Sequence, residues 1–79
     1  MMKYKVLVID DELLIRMSLE SGLSDLGYQV RCADTISEGL SLAAKLHPDA
    51  ILLDNRVGEE RGIDRIPDFK KLDEDVILI

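Results

Sequence analysis

Three aspartates in this chain stand where their type and spacing could do chemistry. Asp10 and Asp11 follow the apolar run Val6–Ile9, and Asp54 follows Ala50–Leu53. Carboxylates that converge within a few Å repel one another, so one of them takes up a proton unless a cation is shared. A hard divalent ion suits such an all-oxygen set. Mg²⁺ fits best, because it accepts one or two carboxylates together with waters and phosphate oxygens. Part of the set also has a bland role open to it. Acidic residues ahead of a helix act as N-caps and complement its dipole, and Asp11-Glu12 would serve that purpose. Asp54 has no such duty, since the next helical pattern begins only at Arg65.

The elements that must position these residues alternate along the chain. Tyr4–Asp10 is a compact apolar run ending in carboxylates, which reads as a strand buried on both faces. From Asp11 to Gly27, Ile15, Leu19, Leu23 and Leu26 recur at helical spacing, and Gly27 stands where a helix C-cap is wanted. Tyr28–Ala33 alternates, with Tyr28, Val30 and Cys32 on one side and Gln29 and Arg31 on the other, as an edge strand does. Cys32 there reads as a small buried hydrophobe. Thr35 and Glu38 form a capping box. Behind it, Ile36, Gly39, Leu40, Ala43 and Leu46 make one helical stripe, in which Gly39 would let the helix approach a sheet closely. His47-Pro48 ends that helix, and His47 reads as a complement to its C-terminus rather than as a ligand or phosphate donor.

Ala50–Asp54 is a second buried strand closed by a carboxylate, and Val76–Ile79 begins a fourth. Between them, Asn55 to Ile63 is polar, holds Gly58 and Gly62, and reads as a loop. A short helix over Arg65–Leu72 is expected, with Asp64 as N-cap, which puts Pro67 in the first turn where its missing N–H costs nothing. The order β-α-β-α-β-α-β implies a parallel sheet with right-handed crossovers. Ligands of such sheets bind beyond the carboxyl ends of the strands, where Asp10 and Asp54 both lie.

Composition narrows the classes of function. A chain of 79 residues, 47% hydrophobic and 33% charged, has the balance of one small folded domain and not of a disordered tract. Sixteen acidic residues against ten basic ones give a net charge of −6, which argues against direct nucleic-acid contact. One cysteine excludes an intramolecular disulfide and a multi-thiolate zinc site. The longest apolar runs are four residues, far short of the ~20 of a membrane span. A cytoplasmic location is expected.

Together, Val6-Leu7-Val8-Ile9-Asp10-Asp11-Glu12, Gly27-Tyr28, Pro48-Asp49-Ala50-Ile51-Leu52-Leu53-Asp54 and Gly62 resemble the receiver domain of bacterial two-component response regulators, over the whole chain. The resemblance implies a doubly wound, flavodoxin-like α/β fold with sheet order 2-1-3-4. It implies that Asp54 is phosphorylated by a sensor histidine kinase with Mg²⁺ as cofactor. Asp11 would then bind the metal directly, Asp10 through a coordinated water, and Arg56 through its backbone carbonyl. A partner output domain would be regulated in turn, as in control of transcription. The module would assist its own phosphotransfer and dephosphorylation without being an enzyme in the ordinary sense.

The chain departs from the family pattern in places. The family's hydroxyl residue after the fourth strand and its Lys at the end of the fifth would fall beyond Ile79. The expectation is therefore a single receiver over residues 1–79 cut inside its sheet, lacking the fifth strand and last two helices. An exposed sheet edge of that kind invites swapped or edge-paired homo-oligomers. Gly58 stands where the family often has Pro, and Arg56 brings a cation near the site. A non-phosphorylatable pseudo-receiver, used for docking or dimerisation, is one rival reading. A phosphatase with an aspartyl nucleophile is another, but it needs a second Asp where Arg56 stands. A dinucleotide fold would need a glycine-rich turn in place of Asp10-Asp11-Glu12.

Overall fold

The computed structural model describes residues 3–79. In chain order the elements are β1 (Lys5–Ile9), α1 (Leu13–Asp25), β2 (Gln29–Ala33), α2 (Ile36–Leu46), β3 (Ala50–Leu53), β4 (Arg56–Val57), β5 (Glu60–Arg61), α3 (Gly62–Leu72) and β6 (Ile77–Leu78). Four strands form a parallel sheet ordered β2-β1-β3-β6. This is the expected 2-1-3-4 order, with β6 as the fourth strand of the main sheet.

Strand β1 is central, and the alternation of its side chains divides the molecule. Leu7 and Ile9, both fully buried, join Ile36, Ala43, Ile51, Val57, Phe69 and Val76 in the core beneath α2 and α3. Val8, 1% exposed, faces the other side with Leu19 of α1 and Leu52 of β3. A strand apolar at every position is what two covered faces require.

Helix α2 follows its pattern closely. Thr35 Oγ1 accepts from the Glu38 N–H at 3.1 Å, one half of the expected capping box. The reciprocal bond from the Glu38 carboxylate is not made among the described residues. Ile36, Gly39 and Ala43 are buried along one stripe. A Cβ built on Gly39 would lie 2.3 Å from Ile9 Cδ1, so glycine is what lets α2 rest on β1. His47 ends the helix at φ 49°, in the left-handed region.

Three readings of the sequence need correction. The stretch expected to be a loop holds a β-hairpin, in which Arg56 pairs with Arg61 and Val57 with Glu60. Its turn starts at Gly58 with φ 62°, the positive φ that two-residue hairpin turns need. Val57, 2% exposed, anchors the hairpin in the core. Helix α3 begins at Gly62 rather than Arg65, and so contains Pro67 in its interior. Proline there deprives the Ile63 carbonyl of its intrahelical donor. Ile63 and Pro67 both lie on the exposed face, so the unpaired carbonyl is not shut away in the core.

Helix α1 is the third case. None of its residues is buried; Leu19 and Leu23 are half-buried, while Ile15 of the expected stripe stays exposed, as does Leu26 just beyond the helix. The helix lies over β2 and β1, and no described element covers its far side. Cys32 is likewise only half-buried, its thiol 3.9 Å from both the Arg16 carbonyl and the Glu20 carboxylate. Among the described residues, no helix is long and apolar enough to cross a membrane.

Candidate functional site

The parallel ladder brings the aspartates together. Ile9 is in register with Leu53 on one side and Ala33 on the other. The ladder then runs one step further, with the Asp54 N–H donating to the Ile9 carbonyl and the Asp10 N–H donating to the Ala33 carbonyl, each at 3.1 Å. Asp10 and Asp54 thus end adjacent strands at the same height, and Asp11 follows in the turn into α1. Carboxylate oxygens of Asp10, Asp11 and Asp54 all lie within 4.8 Å of one another.

Each carboxylate is held by one backbone N–H. Asp10 Oδ1 accepts from Glu12 at 2.9 Å, Asp11 Oδ2 from Gly58 at 3.0 Å, and Asp54 Oδ1 from Asn55 at 2.8 Å. The second oxygen of each carries no hydrogen bond among the described residues. Fixed carboxylates, each with an oxygen to spare, make a donor set of hard oxygens that fits Mg²⁺ or Ca²⁺. Burial grades the three: Asp10 is 9% exposed, Asp54 is half-buried and Asp11 is exposed. The capping role open to Asp11-Glu12 is not taken up, since Glu12 is the N-cap of α1 without a side-chain cap bond.

Arg56 opens the hairpin with its side chain exposed, two residues beyond Asp54. Its cross-strand neighbour is Arg61, so two like charges face each other at the base of the hairpin, an arrangement that is destabilising by itself. Arg61 is partnered at 3.8 Å by Asp64. Arg65, on the flank of α3, pairs with Glu60 and Asp68, and these carboxylates raise its pKa, that of Asp68 first.

Several residues that shape the site were missed in the sequence. Gly58 supplies the N–H held by Asp11, from the hairpin turn. Gly62 lets α3 start directly against Asp54: a Cβ there would lie 2.3 Å from the Asp54 carbonyl oxygen, and the Gly62 N–H closes the hairpin onto the Asn55 carbonyl at 2.9 Å. Arg16 donates from Nη1 to the Asp10 carbonyl at 2.9 Å. For the glycines, the signal was a pair of flexible residues bracketing Glu59–Arg61. For Arg16, it was a cation in the first turn of a helix, where the dipole disfavours it.

The parallel sheet order β2-β1-β3-β6, with an acidic cluster at the carboxyl ends of its central strands, defines a receiver-like α/β fold. Residues 6–79 match the response regulator receiver domain, and the chain belongs to that family. Sporulation initiation phosphotransferase F of Bacillus subtilis is 33% identical over 79 residues, all of this chain and 64% of that protein. A probable transcriptional regulator, ycf27, of Porphyridium aerugineum is 48% identical over 54 residues, 68% of this chain and 22% of the relative. The chain therefore spans less than two thirds of both relatives. Among solved structures, a response regulator of Burkholderia pseudomallei superimposes with a TM-score of 0.90 at 32% identity, covering 96% of this chain and 45% of that one. It was solved with a phosphorylated aspartic acid, a calcium ion and citrate. Chemotaxis protein CheY4 of Vibrio cholerae superimposes at 0.91 with 26% identity, over 98% of this chain and 66% of that one. Receiver domains are signalling modules of two-component systems.

Proposed function

We propose that this chain is the phospho-acceptor part of a response regulator, with Asp54 as the residue that takes the phosphoryl group from a histidine kinase. The observation that carries this reading is the convergence of the Asp10, Asp11 and Asp54 carboxylates within 4.8 Å at the carboxyl end of the sheet. An Asp54 carboxylate oxygen attacks the phosphorus of a phosphohistidine; an O–P bond forms, the P–N bond breaks, and the electron pair stays on the departing imidazole nitrogen. Positioning and charge neutralisation dominate such a transfer. Asp10, Asp11 and Asp54, with the Arg56 backbone carbonyl, would hold Mg²⁺, which when bound offsets negative charge on the transferring group. The Asn55 N–H fixes Asp54 Oδ1 and leaves the other oxygen to react.

The calcium ion and phosphorylated aspartate of the B. pseudomallei relative support this assignment. The aspartyl phosphate would add about −1.5 to −2 of charge beside the hairpin and α3, and an output domain would respond. No direct nucleic-acid contact is assigned to this module, in keeping with its net charge of −6. The test is incubation of the complete protein with acetyl phosphate and Mg²⁺, followed by intact-mass measurement. A gain of one phosphoryl group that Asp54→Asn abolishes is expected; no gain, or one indifferent to that substitution, rejects the assignment.

A further inference from the structure

We infer that Arg16 is a positioning residue for the cation site, acting through the peptide that joins Asp10 to Asp11. This rests on the reading of the three aspartates as the Mg²⁺ site. Asp10 is bound from several directions: its N–H donates to Ala33 of β2, its Oδ1 accepts from Glu12, and its carbonyl accepts from Arg16 Nη1 at 2.9 Å. The last of these is its one side-chain contact among the hydrogen bonds of the described residues. The Asp10 carbonyl belongs to the same peptide plane as the Asp11 N–H, so the guanidinium sets the rotation of that plane. The rotation in turn sets the direction in which the Asp11 side chain leaves the backbone.

The placement of Arg16 favours this role over a purely structural one. Side chains of a helix lean toward its N-terminus, so the half-buried Arg16 in the first turn of α1 reaches back over the strand end. A cation there opposes the helix dipole and gains nothing from it. It makes no ion pair among the described residues, and spends its donor on a carbonyl beyond the last paired residue of β1. Its charge by itself would weaken a divalent cation in the site, so charge and positioning act in opposite directions and can be separated.

The test is a titration of the metal-free complete protein with Mg²⁺ alone, followed through the backbone amide resonances of Asp11, Glu12 and Gly58, with thermal melts run without metal. Arg16→Met keeps the apolar stem and removes the fork. Its Mg²⁺ affinity should fall about 10- to 100-fold, the usual cost of losing an outer-shell partner. Arg16→Lys keeps a donor and should recover part of that loss, while its metal-free melt matches wild type. Tighter Mg²⁺ binding in Arg16→Met would show that only the charge matters and would overturn the inference, as would unchanged affinity with a lowered melt. If Arg16→Met does not fold, Arg16→Ala takes its place, and wild-type affinity in it together with wild-type shifts at Asp11 overturns the inference. Failure of the wild-type protein to bind Mg²⁺ defeats the functional reading itself, and is distinguishable because it appears before any substitution.

Discussion

Gly58 and Asp11, 47 positions apart in the chain, are joined by a 3.0 Å bond from the Gly58 N–H to Asp11 Oδ2. The hairpin turn thereby fixes the most exposed of the three carboxylates, which no strand supports. The turn in turn depends on a positive φ. Gly58→Ala should destabilise the protein by about 1–2 kcal/mol, the cost of holding an L-residue in the left-handed region. A Cβ there meets nothing within 4 Å, so the loss is backbone strain alone. Urea unfolding measures it, and Gly58→Asn, which tolerates that region better, should lose less.

Gly39 and Ile9 offer a packing test at the heart of the domain. Gly39→Ala should cost about 1–3 kcal/mol by overpacking, despite the better helix propensity of alanine. Ile9→Val removes the Cδ1 atom that the new Cβ would meet at 2.3 Å but leaves Cγ1, at 2.8 Å, in place. The double variant should therefore be less destabilised than the sum of the singles, by about 1 kcal/mol in a double-mutant cycle.

Asp54→Asn should stabilise the metal-free protein while removing its response to cations. Three carboxylates within 4.8 Å repel, and neutralising one recovers about 1 kcal/mol, the scale for unit charges ~4 Å apart in water. The Asn side-chain oxygen still accepts the Asn55 N–H. Wild type should gain about 1.4 kcal/mol at a Mg²⁺ concentration tenfold above its Kd, and the variant far less. Thermal melts with Mg²⁺ and with a chelator check both halves.

Cys32 supplies a pH prediction. Partial burial pushes its thiol pKa up, Glu20 pushes it further, and Arg16 opposes them. A thiol whose folded pKa exceeds its unfolded value contributes its full stability below the unfolded pKa. That contribution is lost as pH rises from the unfolded toward the folded value. Stability should fall above about pH 8.5 more steeply in wild type than in Cys32→Ala, measured by chemical denaturation. Alkylation by iodoacetamide should be slower in the native state than in denaturant at the same pH.

The main sheet and the aspartate cluster could be read from the sequence because their signals are local. Val6–Ile9 and Ala50–Leu53 are each apolar at every position, and each ends in a carboxylate. Two parallel strands that stop at the same height then have to bring those carboxylates together. The stripe of α2 was equally plain, down to the close approach at Gly39. The hairpin escaped notice because strands of two residues, Arg56–Val57 and Glu60–Arg61, are shorter than any periodicity. The start of α3 is not legible because Pro67 points to a first turn at Arg65, whereas the helix starts at Gly62, packed against Asp54, and carries Pro67 on its exposed face. The bare side of α1 depends on what other elements cover, which apolar spacing at Ile15 or Leu26 does not encode. Arg16 was invisible for a related reason: its partner is a backbone carbonyl, and backbone groups look alike in every sequence.

The contact of Gly62 with Asp54 also has a mechanical side. The first residue of α3 sits against the Asp54 carbonyl with no room for a methyl group, so there is no slack between the two. Helix α3, eleven residues from Gly62 to Leu72, acts as a lever about 15 Å long with its fulcrum at Asp54. A tilt of about 5° at Gly62 would displace the far end by roughly 1 Å. A shift at the aspartate that tilted the helix would thereby be enlarged at Leu72, its far end.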